Sequence, residues 1–197
     1  MSPLKRLTIS VLCAASLVGT FSGCKRPWFS NNRAEQAGMP AGSATSPSPC
    51  SISFSGNFVN DTAEVLNDEA ESKLEQKLDT LKSAGKIDFA VVTVTTTKDQ
   101  PIADYSLALA RCWAIGESNP DGAAMLLLLA IDDRKWHMQI SRRMEKVLSN
   151  EEIQEAGSQM TPYLRQLNYP EGVQKFVDAT INTIAPRRKF SMPANEQ

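Results

Sequence analysis

The sequence predicts an α/β fold, a three-layer α/β/α sandwich built on one mixed sheet of about four strands. Segments with helical spacing of apolar residues alternate with short β-branched or leucine-rich runs. Two of those runs, at residues 90–94 and 123–131, are apolar on both faces, as buried parallel strands are. A third, around Trp136, alternates apolar with polar, as a half-covered strand does.

A short strand near Phe58 begins the order. Asn67 is a helix N-cap by type, Asp68 and Glu69 suit the positive end of the helix dipole, and Ala70, Leu74, Leu78 and Leu81 recur at helical spacing until Gly85. Residues 87–97, β-branched with an apolar middle, predict a central strand. Pro101 opens a second helix with Ile102, Tyr105, Leu109 and Trp113 on one side and Gly116 at its close. Residues 123–131 form the next strand. Beyond a turn at Asp132-Asp133, Trp136, Met138 and Ile140 alternate with His137, Gln139 and Ser141, which predicts a strand with one wet face near the sheet edge. Ser149 and Glu152 form a capping box, and Ile153, Ala156, Met160, Leu164 and Leu167 continue a helical stripe that Pro162 is expected to kink or break. A last helix is expected after Pro170, with Val173, Phe176, Val177, Thr180, Ile181 and Ile184 inward. No internal repeat is visible.

The 197 residues leave room for one domain of ordinary size with flanking segments. A formal net charge of -1 argues against a nucleic-acid partner, and 10 Gly with 4 Cys exclude collagen-like and disulfide-dense classes. The balance conceals a split. Residues 1–50 hold five basic groups against Glu35, whereas residues 51–185 hold 13 basic and 20 acidic groups. An acidic body follows a basic leader.

That leader reads as an export signal. Lys5 and Arg6 precede an uncharged, mainly apolar run from Leu7 to Val18, the ~7–15 residues of a signal core and short of the ~20 needed to span a bilayer. Phe21-Ser22-Gly23-Cys24 resembles the bacterial lipobox, whose cysteine is acylated and becomes the first residue; Phe21 departs from the aliphatic residue usual at its position. Residues 1–23 are therefore expected to be a lipoprotein signal peptide, with Cys24 the lipidation site and the membrane its partner. Lys25, Arg26 and Trp28 suit an anionic interface. Residues 24–56, poor in large apolar side chains, read as a lipid-anchored flexible linker. The domain occupies 57–185, and 186–197 reads as a basic disordered tail. Cys13 would leave with the signal, so Cys50 and Cys112 remain in an oxidising compartment, either paired or as a free thiol and a buried one.

Val59-Asn60-Asp61-Thr62-Ala63-Glu64-Val65-Leu66, the strand at 87–94, Tyr105 through Trp113-Ala114-Ile115-Gly116, and the leucine run into Asp132-Asp133-Arg134-Lys135 together resemble the TPM domain. The resemblance covers roughly 57–185 and rests on order and spacing. It implies a Rossmann-like sandwich, export or membrane attachment, divalent-cation binding in some members, weak phosphatase activity in a few, and an accessory role beside membrane complexes in others. Two departures stand out. Where the family commonly has Gly-Tyr-Gly-Leu-Glu, this chain has Ser141-Arg142-Arg143-Met144-Glu145. The family's Asn-Gly before the leucine run falls on Ala123-Ala124, unless Asp121-Gly122 plays that part. Lost glycines weaken any transfer of a ligand cradle.

The residues themselves offer little enzyme machinery. His137, the sole histidine, has no nucleophile motif around it and reads as a surface or edge-strand side chain; no phosphate-binding glycine loop occurs. Carboxylates are the remaining option, because Ca²⁺ and Mg²⁺ take several hard oxygen ligands and acids at strand ends can converge. Asp61, Asp121, Asp132, Asp133 and Glu145 are the candidate metal ligands, and Arg142 and Arg143 suit an anion such as phosphate or a lipid headgroup. The same acids read equally as a cap, a hairpin turn and a solvated glutamate. Three functions follow: a membrane-tethered interaction or accessory module for an envelope protein in the bacterial cell envelope, a weak metal-assisted phosphatase around Asp133, or a structural envelope lipoprotein without ligand.

Overall fold

A computed structural model describes residues 49–52 and 56–192. The expected signal peptide, Cys24 and the linker up to residue 48 lie outside the described residues, as do the last five residues of the expected tail. The elements are β1 (Val59–Asp61), α1 (Asp68–Gly85), β2 (Asp88–Val94), α2 (Ile102–Cys112), β3 (Ala124–Ala130), β4 (Lys135–Ile140), α3 (Asn150–Arg165) and α4 (Tyr169–Arg188), with 3-10 turns at Pro49–Ser51 and Met144–Lys146.

The sheet has the order β1-β2-β3-β4. β1, β2 and β3 are parallel, with Val59 beside Val91 and Asp88 beside Ala124, while β4 runs antiparallel to β3 with His137 opposite Leu128. The sequence is responsible for this division: β2 and β3 are buried at every position and so lie inside, whereas β4 buries Trp136 and Met138 and leaves alternate residues half-covered at the edge.

Helices cover both faces. On one, Leu74, Leu78 and Leu81 of α1, Ile153 and Met160 of α3, and Phe176 and Val177 of α4 pack with Phe89, Val91, Leu127 and Trp136. On the other, Ile102, Tyr105 and Leu109 of α2 pack with Val92, Val94, Leu126 and Leu128. This is the expected α/β sandwich. Because three adjacent parallel strands follow chain order, helices on opposite faces give the two crossovers opposite hands, one of them the uncommon left hand. Among the described residues no helix is long and apolar enough to cross a membrane.

Several local expectations are corrected. α3 continues through Pro162 to Arg165 without a break, since the apolar stripe on α4 fixes it along its length. α4 starts at Tyr169, ahead of Pro170, because Asn168 caps the Glu171 N–H and proline at the first turn has no hydrogen bond to lose. Lys86 rather than Gly85 takes the left-handed cap of α1, at φ 53°. Gly85 instead sits close under Phe190: a Cβ there would lie 3.0 Å from the ring, which would have to give way. The tail boundary at 186 also moves, for α4 runs to Arg188 and Phe190 packs against the core. Part of the expected linker is likewise built into the domain, as the Pro49–Ser51 turn lies on α2 with Cys50 bonded to Cys112.

Candidate functional site

Strand direction decides where each candidate residue stands. β1, β2 and β3 finish together, so Asp61, the loop at 95–97 and the 131–134 turn share one end of the sheet. β3 begins and β4 finishes at the other end, which therefore holds Asp121, Arg142, Arg143 and Glu145. The five carboxylates proposed as one metal set are thus divided between opposite ends. A seven-residue strand separates them by roughly 23 Å, at ~3.3 Å per residue.

At the first end the acids serve the loops. Asp133 accepts from the Thr96 hydroxyl at 2.7 Å and from the Thr97 N–H and hydroxyl at 2.9 Å each. Burial pushes this carboxyl up, but those three donors outweigh it and hold the group below the usual carboxylate range. Asp61 accepts from the Thr93 hydroxyl and, at 2.6 Å, from the Leu66 N–H. Glu71 lies near enough that burial, then Asp61, Asp68 and Glu75, raise its carboxyl. Asp132 is exposed. Among the described residues no three His, Cys, Asp or Glu side chains are grouped to hold an ion. The residues present do not fit the five-ligand cation site.

At the second end Asp121 is clamped by two arginines. Arg143 donates to its Oδ1 from Nε at 2.9 Å and Nη2 at 2.5 Å, and Arg188 Nη2 stands 2.6 Å from its Oδ2. Arg143, then Arg188, hold this carboxyl below its ordinary range. Arg188 also donates to the Gly85 carbonyl at 3.2 Å, tying α4 to α1. Arg143, proposed for an anion, is committed to Asp121. Arg142 is exposed and lines a groove.

That groove, of about 370 Å³, runs between α2 and the β3–β4 hairpin, with Ala110, Arg111 and Ile115 on one side and Leu126, Gln139 and Arg142 on the other. His137 and Gln139 face α2, because their cross-strand partners Leu128 and Leu126 belong to that core. The expected wet face is therefore half-covered. Burial lowers the His137 pKa below the usual imidazole value, against a hydrogen bond with Gln139 that raises it. Sequence reasoning missed Arg111 and Gln139 as groove residues; the polar face of β4 was the available signal.

The two departures noted in the sequence meet at this same end. Ser141 N–H donates to the Ala124 carbonyl at 2.9 Å, and Ser141 Oγ accepts from the Ala124 N–H at 3.1 Å, so the hydroxyl closes the end of the hairpin. The Ala124 methyl forces glycine on its neighbour: a Cβ on Gly116, whose φ is 86°, would lie 2.6 Å from it. Gly122 keeps a positive φ of 63° in the turn before β3.

A model of the TPM domain matches residues 59–183. The chain belongs to the TPM domain family. Solved structures similar to this TPM domain include the N-terminal domain of a P. gingivalis protein, 27% identical, with a TM-score of 0.62 over 68% of this chain and 85% of that one. The N-terminal domain of the cg2496 protein from Corynebacterium glutamicum is 13% identical, with a TM-score of 0.53 over 80% of this chain and 93% of that one. The BA42 protein of Bizionia argentinensis is 14% identical, with a TM-score of 0.53 over 69% and 91%. The last two show shared fold alone. No curated protein matches the chain.

Proposed function

We propose that this TPM domain is exported, held at a bacterial membrane by acyl chains on Cys24, and works there as an interaction or accessory module for an envelope protein. The observation that carries this reading is the Cys50–Cys112 disulfide, 62 residues apart in sequence, which ties the N-terminal segment to the end of α2. Disulfides persist in oxidising compartments, so the bond favours export, and the lipobox-like Phe21-Ser22-Gly23-Cys24 supplies a means of retention. The Asp133 carboxylate is engaged by the Thr96 and Thr97 donors, which disfavours a role in bond-making.

Radiolabelled palmitate and membrane fractionation of the full-length chain test the reading. Wild type should carry label and sediment with membranes, and Cys24→Ser should lose both. An unlabelled chain soluble inside the cell would overturn it. Turnover of p-nitrophenyl phosphate that Asp133→Asn abolishes in a folded variant would favour the phosphatase reading instead.

A further inference from the structure

We propose that the end of the domain bearing Lys86, Arg111, Arg142, Arg143 and Lys189 docks on anionic phospholipid headgroups, so that the tethered domain stands with its acidic end away from the bilayer. This rests on the membrane attachment proposed above and adds to it a face and an orientation.

The contacts already described gather these cations. Asn119 Nδ2 reaches the Lys86 carbonyl at 2.7 Å and that of Ala123 at 3.0 Å, joining the end of α1 to the start of β3. Arg143 and Arg188 meet on Asp121, and Arg111 and Arg142 line one groove. Lys86 and Lys189 are the left-handed caps of α1 and α4, so both helices finish here with exposed lysines. Part of this distribution serves the helices, since cations favour the negative C-terminal end of the dipole. The cations exceed that need. Two arginines share the one carboxylate of Asp121, and Arg111, Arg142 and Lys189 make no ion pair among the described residues. Glu117 and Glu145 stand at the groove as opposing charges; Asp88 and Glu152, also at this end, pair with Lys82 and Arg187, and Glu151 lies in the first turn of α3. The far end has the reverse sign, with Asp61, Glu71, Asp99, Asp132 and Asp133 around Lys98, Arg134, Lys135 and, where α3 finishes, Arg165.

Attachment and charge coincide. Residues leading from Cys24 enter the domain at Pro49–Ser51, which is held to the end of α2 by Cys50–Cys112 and by Trp113 Nε1 donating to the Ile52 carbonyl at 3.0 Å. Cys112 follows Arg111, so the chain from the proposed anchor arrives at the basic end. Only 25 residues separate Cys24 from Cys50, so the proposed anchor is near this end along the chain. Such a tether supplies an effective headgroup concentration at which weak electrostatic docking suffices. Both ends of that segment are basic, as Lys25 and Arg26 adjoin the acylation site.

Flotation with vesicles tests the orientation. The chain from residue 25 onward keeps the disulfide and the entire described core, and the similar P. gingivalis and C. glutamicum domains were solved apart from the rest of their proteins. It should float with phosphatidylglycerol-rich vesicles, fail to float with pure phosphatidylcholine, and be released by high salt. Arg142→Glu with Lys189→Glu should weaken binding at least tenfold, since each removed charge is worth about five-fold. Lys98→Glu with Arg165→Glu, at the opposite end, should leave it unchanged. Equal binding to both lipids, or equal loss in both double variants, would overturn the proposal. Capture by polyglutamate without vesicle binding would also overturn it, in favour of an acidic protein. Palmitate labelling reads the anchor separately: a labelled chain that ignores phosphatidylglycerol sinks only the docking, and an unlabelled chain that binds it sinks only the anchor.

Discussion

Gly157 of α3 lies under the indole of Trp136 on β4: a Cβ built on it would stand 2.1 Å from Cζ2 and 2.6 Å from Cη2. The ring is 2% exposed and also meets Phe176 edge-on, with centroids 5.4 Å apart, so it has little room to retreat. Gly157→Ala should therefore destabilise the domain by about 1–3 kcal/mol, although alanine is the better helix former. A lower urea midpoint is expected, and one at or above wild type would show the indole swinging aside.

The disulfide closes a long loop, and its loss should be felt mainly in the unfolded chain. For a sequence separation of 62, loop-closure entropy predicts about 4 kcal/mol. Cys50→Ser with Cys112→Ser, or wild type under reductant, should shift the urea midpoint down, and an unchanged midpoint would mean that the bond does not form.

Trp113 separates packing from hydrogen bonding at the same junction. It is 9% exposed and joins Leu109 and Leu126 in the core under α2. Trp113→Ala should cost about 3–5 kcal/mol, and Trp113→Phe, which keeps an aromatic ring but loses the donor to Ile52, considerably less. Equal losses would indicate that the hydrogen bond dominates.

Acid sensitivity should centre on Glu152. Its side chain closes the capping box with Ser149 and pairs with Arg187 of α4, and Arg187, then the Ser149 N–H, lower its pKa to about 2. A carboxyl depressed in the folded state stabilises above its unfolded pKa and loses that contribution as pH falls through the folded value. Urea titrations should therefore show wild type losing its advantage over Glu152→Gln between about pH 4.5 and pH 2. A difference independent of pH over that interval would remove charge from the explanation.

Asp133 should behave similarly by a different route. Its carboxyl is also lowered, so its contribution is present above the ordinary aspartate range and declines as pH falls through the depressed value. Asp133→Asn turns an acceptor towards the Thr97 N–H into a partial donor and should cost about 1–3 kcal/mol. Thermal unfolding of the variant at pH 7 checks this, and no loss would free Asp133 for a functional role.

Helices capped by Asn67 and Ser149, the two fully apolar strands and the half-covered β4 were legible because each is a matter of local periodicity and local hydrogen bonding. At Pro162 the helix does not break, because breaking is a local preference and packing between α3 and α4 outweighed it. The carboxylate candidates are a different kind of case. Asp121 and Asp133 flank one strand, and a strand must hold its two ends apart, so their separation follows from reading 123–131 as β.

By itself the sequence determined the alternation of elements, the residues each would bury, the acidic body and basic leader, and the membership that order and spacing carry, since these depend on composition and near neighbours along the chain. Only the tertiary structure decided that Cys50 meets Cys112, that Asp121 is shared by Arg143 and Arg188, and that cations collect where α1, α2 and α4 finish. Those facts join residues tens of positions apart. Strand direction and crossover, which bring them together, are fixed by burial of the whole core and by no single segment.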